Sequence, residues 1–396
     1  MKQRKGVLTL IDEYLYKNHK KLRCGYTTGT CAAAAAKAAA HMLLTGERLS
    51  CVRVHTPKGI SVTLALADIT MTETKAVCAI QKDAGDDADC TDKIFIYASV
   101  CYGTSDDILI EGGTGIGRVT RPGLEQPVGS AAINRVPREM IKKEVLSELA
   151  AAGYDGGMKV IISAPEGAEL AKKTFNPQLG IEGGISILGT SGIVEPMSEQ
   201  AIVDTIRVAL KQKKALGYET LLLSPGNYGQ QFALETWGID LDAGVKCSNF
   251  IGETLDIASE LRFSQILLIG HIGKLIKVAA GVMNTHSSMA DARLETLSAC
   301  ALLAGADADT ARGILNCTTT DDALQILTDR HILDAAMQIA LEKMLTHMRR
   351  RVGGRILDIQ DIQIEVILFS NVHGVLAMSD NAQTFIRQIP LKRALL

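Results

Sequence analysis

RCGYTTGTCAAAAAKAAA, Arg23 to Ala40, is the stretch from which the rest of the chain is read. A polar, glycine-bearing turn (Gly25, Thr27, Thr28, Gly29, Thr30) runs into eight alanines interrupted by Lys37. Alanine has the highest helix propensity, and threonine ahead of it is a good N-cap. The stretch therefore predicts a loop feeding a helix. The first turn of such a helix carries unpaired N–H groups and partial positive charge, which suits an anion. A tightly packed core helix with an ordinary threonine cap has the same pattern, so the run alone leaves both readings open.

Outward from this helix, Leu49–Val54 and Ile60–Ala67 alternate as strands around Pro57-Lys58-Gly59, followed by strands at Thr74–Gln81, Ile94–Tyr102 and Asp107–Glu111. Met1–Lys21 reads as a charged leader helix. Strands with few helices between them predict a strand-rich α+β domain over residues 1–153. From Met158 the rhythm changes. Apolar strands at Lys159–Ala164, Ile185–Gly189, Glu219–Ser224 and Gln265–Gly270 alternate with helices, among them Gly167–Phe175, Ser198–Leu216 and Ile251–Leu261. That is the pattern of a Rossmann-like, mainly parallel sheet covered on both faces. It defines a second domain over 154–396. Helices over the 290s and Asp322–Met348, then a hairpin of Ile362–Ser370 and Val375–Met378, extend it. The fold class is thus α/β and α+β in two domains.

Composition narrows the functional classes. The 396 residues are 47% hydrophobic and 22% charged, with a net charge of −2, so nothing draws the chain toward nucleic acid or an acidic membrane surface. Aromatic content of 4% argues against a base-stacking platform. Nine cysteines without a C-x-x-C pair argue for reduced thiols in the cytoplasm and against a disulfide framework or zinc site. The apolar run in MKQRKGVLTLIDEY is too short for a signal peptide, and no stretch approaches the roughly 20 apolar residues of a membrane span.

Three further regions carry chemistry. Asp83, Asp86, Asp87, Asp89 and Asp92 can hold a hard cation, orient a polar substrate, or form a solvated turn. Glu111–Met140 combines GGTGIG with Arg118, Arg121, Arg135 and Arg138, residues that can clamp carboxylates or phosphates. It lacks a Walker Lys-Ser/Thr ending and so matches a nucleotide loop only superficially. Small-residue turns end the second domain's strands: Gly189-Thr190-Ser191, Ser224-Pro225-Gly226-Asn227 and Gly270-His271-Ile272-Gly273. Ligands of open α/β sheets sit at the carboxyl ends of strands, which makes these turns a candidate cofactor crevice. His271 is followed by Lys274 and Lys277, one helical turn apart.

GYTTGTCAAAAAKAA resembles the N-terminal signature of the CbiD family, the cobalt-precorrin-5B C1-methyltransferases of anaerobic cobalamin synthesis. DAGDDADCTD (Asp83–Asp92), EGGTGIGRVTRPG (Glu111–Gly123), GTSGIVEPMSE (Gly189–Glu199), KCSNFIGE (Lys246–Glu253), the run from Leu268 to His286 and ADARLE (Ala290–Glu295) follow in that family's order. The resemblance implies transfer of a methyl group from S-adenosylmethionine to C-1 of a cobalt-containing tetrapyrrole. The metal then arrives inside the substrate, and no protein metal site is expected. On this reading the first domain holds the acid-fringed macrocycle through Thr27, Thr28, Thr30, Lys37, Arg118, Arg121, Arg135 and Arg138. The second holds the methyl donor near Gly189, Thr190, Ser191, Gly226, Asn227, Gly270 and Gly273. His271 and Asp87 are the candidates for a catalytic base, on residue type and loop position. Two competing readings remain open. One is a phosphotransferase using the aspartates for Mg²⁺, and the other is a non-catalytic corrinoid carrier. Oligomeric state is not legible.

Overall fold

The computed structural model describes residues 13–17, 20–239, 243–353 and 362–389. The chain forms two compact units, Met1–Glu199 and Gln200–Leu396. The sequence places the boundary earlier, near Gly153–Gly157.

The first unit contains β1 (Tyr14–Lys17), β2 (Lys20–Arg23), β3 (Gly25–Tyr26), α1 (Thr28–Thr45), β4 (Cys51–His55), β5 (Ser61–Ala65), β6 (Ala67–Met71), β7 (Lys75–Gln81), β8 (Phe95–Tyr102), β9 (Ile108–Gly112), β10 (Arg118–Val119), α2 (Arg135–Ala152), β11 (Met158–Ser163), α3 (Gly167–Ala171), β12 (Ile181–Glu182) and β13 (Ile193–Val194). Its main sheet has the order β6-β7-β8-β11-β9 and is antiparallel except where β11 meets β9. α1 packs on β7, β8 and α2, and Cys31–Ala36 and Ala38–Ala40 are wholly buried. Alanine is what a helix enclosed on several sides can accommodate, because larger side chains would hold the sheet and α2 away.

Several expectations are corrected here. The described part of the leader is a hairpin, β1 with β2, rather than a helix; residues 1–12, 18 and 19 lie outside the described residues. The strand at Met158–Ser163 belongs to the first sheet, antiparallel to β8. Ile185 and Ile187 make single bridges to Ile116 and Ile133 instead of a strand. Arg135 and Arg138 stand on a helix, α2, whose buried Ile141, Val145 and Leu149 recur every four residues.

The second unit contains α4 (Glu199–Ala215), β14 (Thr220–Ser224), α5 (Asn227–Trp237), β15 (Gly244–Lys246), α6 (Ile251–Glu260), β16 (Gln265–His271), α7 (Ile272–Ala279), α8 (Arg293–Leu303), α9 (Ala308–Leu315), α10 (Thr320–Asp329), α11 (Leu333–Gly353), β17 (Gln363–Ser370), β18 (Gly374–Met378) and α12 (Ala382–Gln388). The sheet order is β15-β14-β16-β17-β18, with β15 through β17 mutually parallel and β18 antiparallel at the edge. The expected parallel sheet and closing hairpin are therefore present. Strand alternation divides the core. Leu221, Leu223, Ile266 and Leu268 face α6, α7 and α11, while Leu222, Leu267 and Ile269 face α5 and α12. Burial on both faces is why these strands read as unbroken apolar runs.

Gly115 lies at φ +74°, and a Cβ there would sit 1.7 Å from the Ala164 carbonyl oxygen. Backbone packs on backbone at this point, so no side chain fits. Gly115→Ala is expected to destabilise the first unit by roughly 3 kcal/mol or more. Hydrogen exchange should show lost protection in β8, β9 and β11 with α5–α7 unchanged; unaltered protection in the first sheet would contradict this packing.

Candidate active site

In the first unit, three of the motif segments converge. Gly25 and Tyr26 pair with Val194 and Ile193, and the Tyr26 amide donates to the Asp83 carbonyl at 2.9 Å. The Arg23 guanidinium grips Asp83 with two bonds, Nη1 to Oδ2 at 2.6 Å and Nη2 to Oδ1 at 2.8 Å. Asp86 accepts from the Arg23 amide, Asp87 from the Met197 amide, and Asp92 from the Ala84 amide. Asp89 takes the Lys82 ammonium at 2.7 Å together with Thr91. The carboxylates are thus taken up by the protein's own donors. Among the described residues no group of three His, Cys, Asp or Glu side chains is arranged to hold a metal. Burial alone would raise the Asp83 pKa, but the Arg23 bonds and the Gly85 amide outweigh it and hold the group at about 2.

The start of α1 is also occupied. Thr27 caps it by accepting from the Thr30 amide, and the Gly29 amide donates to the Leu188 carbonyl. Thr28 Oγ1 accepts from the Leu188 amide, and Thr30 Oγ1 donates to the Gly192 carbonyl at 2.7 Å. All three threonines are buried. The segment carrying Gly189, Thr190 and Ser191 thus seals this helix end, and it belongs to the first unit, where β13 pairs with β3. Lys37 pairs with Glu144 at 2.7 Å across α1 and α2. Arg138 donates to the carbonyls of Ile133 and Ile110, and burial lowers its pKa. Arg118 pairs with Glu111 and donates to the carbonyls of Gly112 and Gly129, and Arg135 pairs with Glu139; these two and Arg121 are nevertheless exposed.

The carboxyl edge of the second unit's sheet is different. β14 and β16 are neighbours, yet the chain leaves β14 for β15 on one flank and leaves β16 for β17 on the other. The connection reverses direction here, the position at which open α/β sheets form a ligand crevice, and the loops Ser224–Asn227 and His271–Gly273 lie on its two sides. They are packed closely: a Cβ on Gly270 would lie 3.2 Å from Pro225 Cδ, and one on Gly229 would lie 2.6 Å from the Ile269 carbonyl oxygen. A Cβ on Gly226, in contrast, would meet nothing within 4 Å. Gly226 is the N-cap position of α5, and Tyr228 in the first turn is 70% exposed. Gly226, Asn227, Gly270 and Gly273 are therefore brought together.

His271 caps α7, its Nδ1 accepting from the Gly273 amide at 3.1 Å. The ring meets Phe369 edge-on. Burial lowers the His271 pKa, with Asp321 opposing the shift. A neutral ring whose Nδ1 accepts carries its proton on Nε2. The expected base therefore serves as a cap, with no free lone pair in this arrangement.

Along one face of α7, from Gly273 to Lys277, lies a cavity of about 360 Å³. Its lining includes Asn249, Lys274, Lys277, Thr285, Asp291 and Arg293. Lys274 donates to Asn249 Oδ1 at 3.0 Å, and Arg293 pairs with Asp291. Lys277 is buried, with its ammonium donating to the carbonyls of Thr285 and Ala290. Sequence reading assigned no role to Asn249, Lys277 or Arg293. The available signal was the i, i+3 lysine pair followed by the polar run Asn284–Glu295. A larger cavity, about 640 Å³, lies at the opposite edge, where β14 and β16 begin, and is lined by Leu216–Thr220, Ser264, Gln265 and Gln388.

Residues 15–196 match the family model described as CbiD, and residues 284–380 match the model described as CbiD, C-terminal domain. A protein of Ruminiclostridium cellulolyticum named cobalt-precorrin-5B C(1)-methyltransferase is 50% identical over 364 residues, 92% of this chain and 93% of that one. The chain belongs to the CbiD family. Another CbiD relative of the same name, from Alkaliphilus metalliredigens, is 43% identical over 94% of this chain and 96% of its own. A crystal structure from Archaeoglobus fulgidus, titled cobalamin biosynthesis protein (cbiD), is similar at 28% identity, with a TM-score of 0.39, over 71% of this chain and 87% of its own. The first CbiD model ends three residues before the first compact unit does.

The Asp83 pKa is depressed, so its pairing stabilises the first unit above the ordinary carboxylate range near 4. That contribution, on the order of 1–2 kcal/mol, falls away as pH drops from about 4 to about 2. Asp83→Asn should flatten this acid limb of the urea midpoint; an unchanged limb would contradict the pairing. For His271, ¹⁵N NMR should find the Nε2–H tautomer and a midpoint below that of a free histidine. An Nδ1–H tautomer would contradict the cap.

Proposed function

We propose that the chain methylates C-1 of cobalt-precorrin-5B, a cobalt-bearing tetrapyrrole, with S-adenosylmethionine as donor, yielding cobalt-precorrin-6A. The sulfonium, when bound, supplies a strongly electrophilic methyl group and departs as a neutral thioether. The protein's share is to hold both partners in line and keep water out. The observation carrying this reading, beside family membership, is the reversal of strand connection at β14 and β16, with the loops Ser224–Asn227 and His271–Gly273 on either side of it. The strand order supports a Rossmann-like reading of the second unit, with Gly226, Asn227, Gly270 and Gly273 around the donor. Gly226 leaves room for a ligand to approach the start of α5. The macrocycle's acetate and propionate arms are assigned in the first unit to Arg118, Arg121 and Arg135. Thr27, Thr28 and Thr30 are buried in the hydrogen bonds of the helix start, Lys37 is paired with Glu144, and Arg138 bonds two backbone carbonyls, so these are not assigned to the arms. With Asp87 bound to a backbone amide and His271 capping a helix, the reading requires no side-chain base from either. The engaged aspartates also weigh against an Mg²⁺-dependent phosphotransferase. No helix among the described residues is long and apolar enough to cross a membrane, and the nine free cysteines fit a reducing cytoplasm.

Anaerobic incubation with cobalt-precorrin-5B and ¹³C-methyl donor should give a new methyl at C-1 by NMR; binding without methyl transfer would overturn the reading. Gly226→Val tests the crevice itself. Its side chain enters open space and its φ of 176° suits any residue, so the fold should be retained. The KM for S-adenosylmethionine should rise about tenfold, or about 1.4 kcal/mol. An unchanged KM would remove the crevice from the site.

A further inference from the structure

The cavity along α7 combines three cations with one carboxylate. Lys274 and Lys277 come from one helix face, and Arg293 from the start of α8. Asp291 is engaged by Arg293, through the guanidinium Nε and through Nη2 to Oδ2 at 3.1 Å. Lys277 is the telling residue. It is 4% exposed, and its ammonium donates to two neutral acceptors, the Thr285 carbonyl at 3.3 Å and the Ala290 carbonyl at 2.8 Å. An ammonium has three N–H donors, so one remains without a protein acceptor among the described residues. Burying a lysine charge with no carboxylate bonded to it is costly, and a ligand anion in the cavity would offset that cost. Asn249 Oδ1 accepts from Lys274 and Thr285 Oγ1, which fixes one wall. The cavity begins at Gly273, beside the loop that flanks the crevice.

We infer that this cavity is a carboxylate subsite, in which Lys274, Lys277 and Arg293 receive one carboxylate of a ligand used by the enzyme. The inference rests on the methyltransferase reading above for the identity of that ligand. Two sources share this chemistry: the amino-acid end of the methyl donor, and an acetate or propionate arm of the macrocycle. Lys277 and Lys274 act as positioning residues that fix the ligand's orientation by its anionic end.

The test titrates the full chain with three probes: S-adenosylmethionine, its decarboxylated analogue, and uroporphyrin III, a stable tetrapyrrole with acetate and propionate arms. Lys277→Met removes the buried charge. Lys274→Met, at an exposed position, decides the matter if Lys277→Met does not fold. Loss of a charge-assisted hydrogen bond should weaken the carboxylate-bearing ligand about tenfold. Weakened S-adenosylmethionine with an unaffected decarboxylated analogue assigns the subsite to the donor. Weakened uroporphyrin with unaffected donor assigns it to a macrocycle arm. Either result supports the subsite. Binding of every probe within twofold of the parent chain, in a folded Lys274→Met, overturns it, as does failure of the parent chain to bind any probe. These are equilibrium measurements, so an absence of methyl transfer would sink the proposed reaction and leave the binding results unchanged.

Discussion

The functional architecture depends on one constraint: β14 and β16 are hydrogen-bonded neighbours whose onward connections diverge. Helix α5 returns over one face of the sheet and α6 and α7 lie over the other, because alternate residues of the strands bury opposite ways. Both loops leave the carboxyl edge at this pair of strands, and the start of α5 is open beside Gly226. Topology makes this the ligand-binding edge of such a sheet, and glycines let the backbone pack closely there, Gly270 against Pro225 and Gly229 against Ile269. The cation-lined cavity shares Gly273 with this edge; α7 supplies Lys274 and Lys277 to it, and α8 supplies Arg293.

The second unit is largely legible in the sequence because its determinants are local. Leu221–Leu223 and Ile266–Ile269 are apolar on consecutive positions, which only two-sided burial explains, and each strand ends in a small-residue turn. The first unit is less so. Met158–Ser163 reads like the strands that follow it, but its partners are β8 and β9, more than forty residues away in sequence. Nothing local distinguishes a strand that joins an earlier sheet from one that begins a new one. Helix α2 carries its own signal in Met140, Ile141, Val145 and Leu149, obscured by the glycine-rich run before it and by Pro137 in its first turn.

The same distinction separates the site residues that survive from those that do not. Thr27, Thr28 and Thr30 have the residue types of an anion seat, and their cap is local and correct. Their remaining hydrogen bonds go to Ser186, Leu188 and Gly192, roughly 160 positions on, and nothing in the loop alone reveals that. Lys37 in the alanine run looks free for a ligand, but it neutralises Glu144 inside a helix pair. The aspartate cluster has the composition of a cation site and is instead a knot of carboxylates on Arg23, Lys82 and backbone amides. In the cavity the reverse happens: Asn249, Lys277 and Arg293 are unremarkable apart and become a site when the chain folds.

The most direct measurement is photo-crosslinking of isotope-labelled S-adenosylmethionine to the intact protein, followed by peptide mapping. A donor seated in the crevice predicts label on peptides carrying Ser224–Tyr228 or His271–Lys274. Label confined to residues before Gln200 would contradict it.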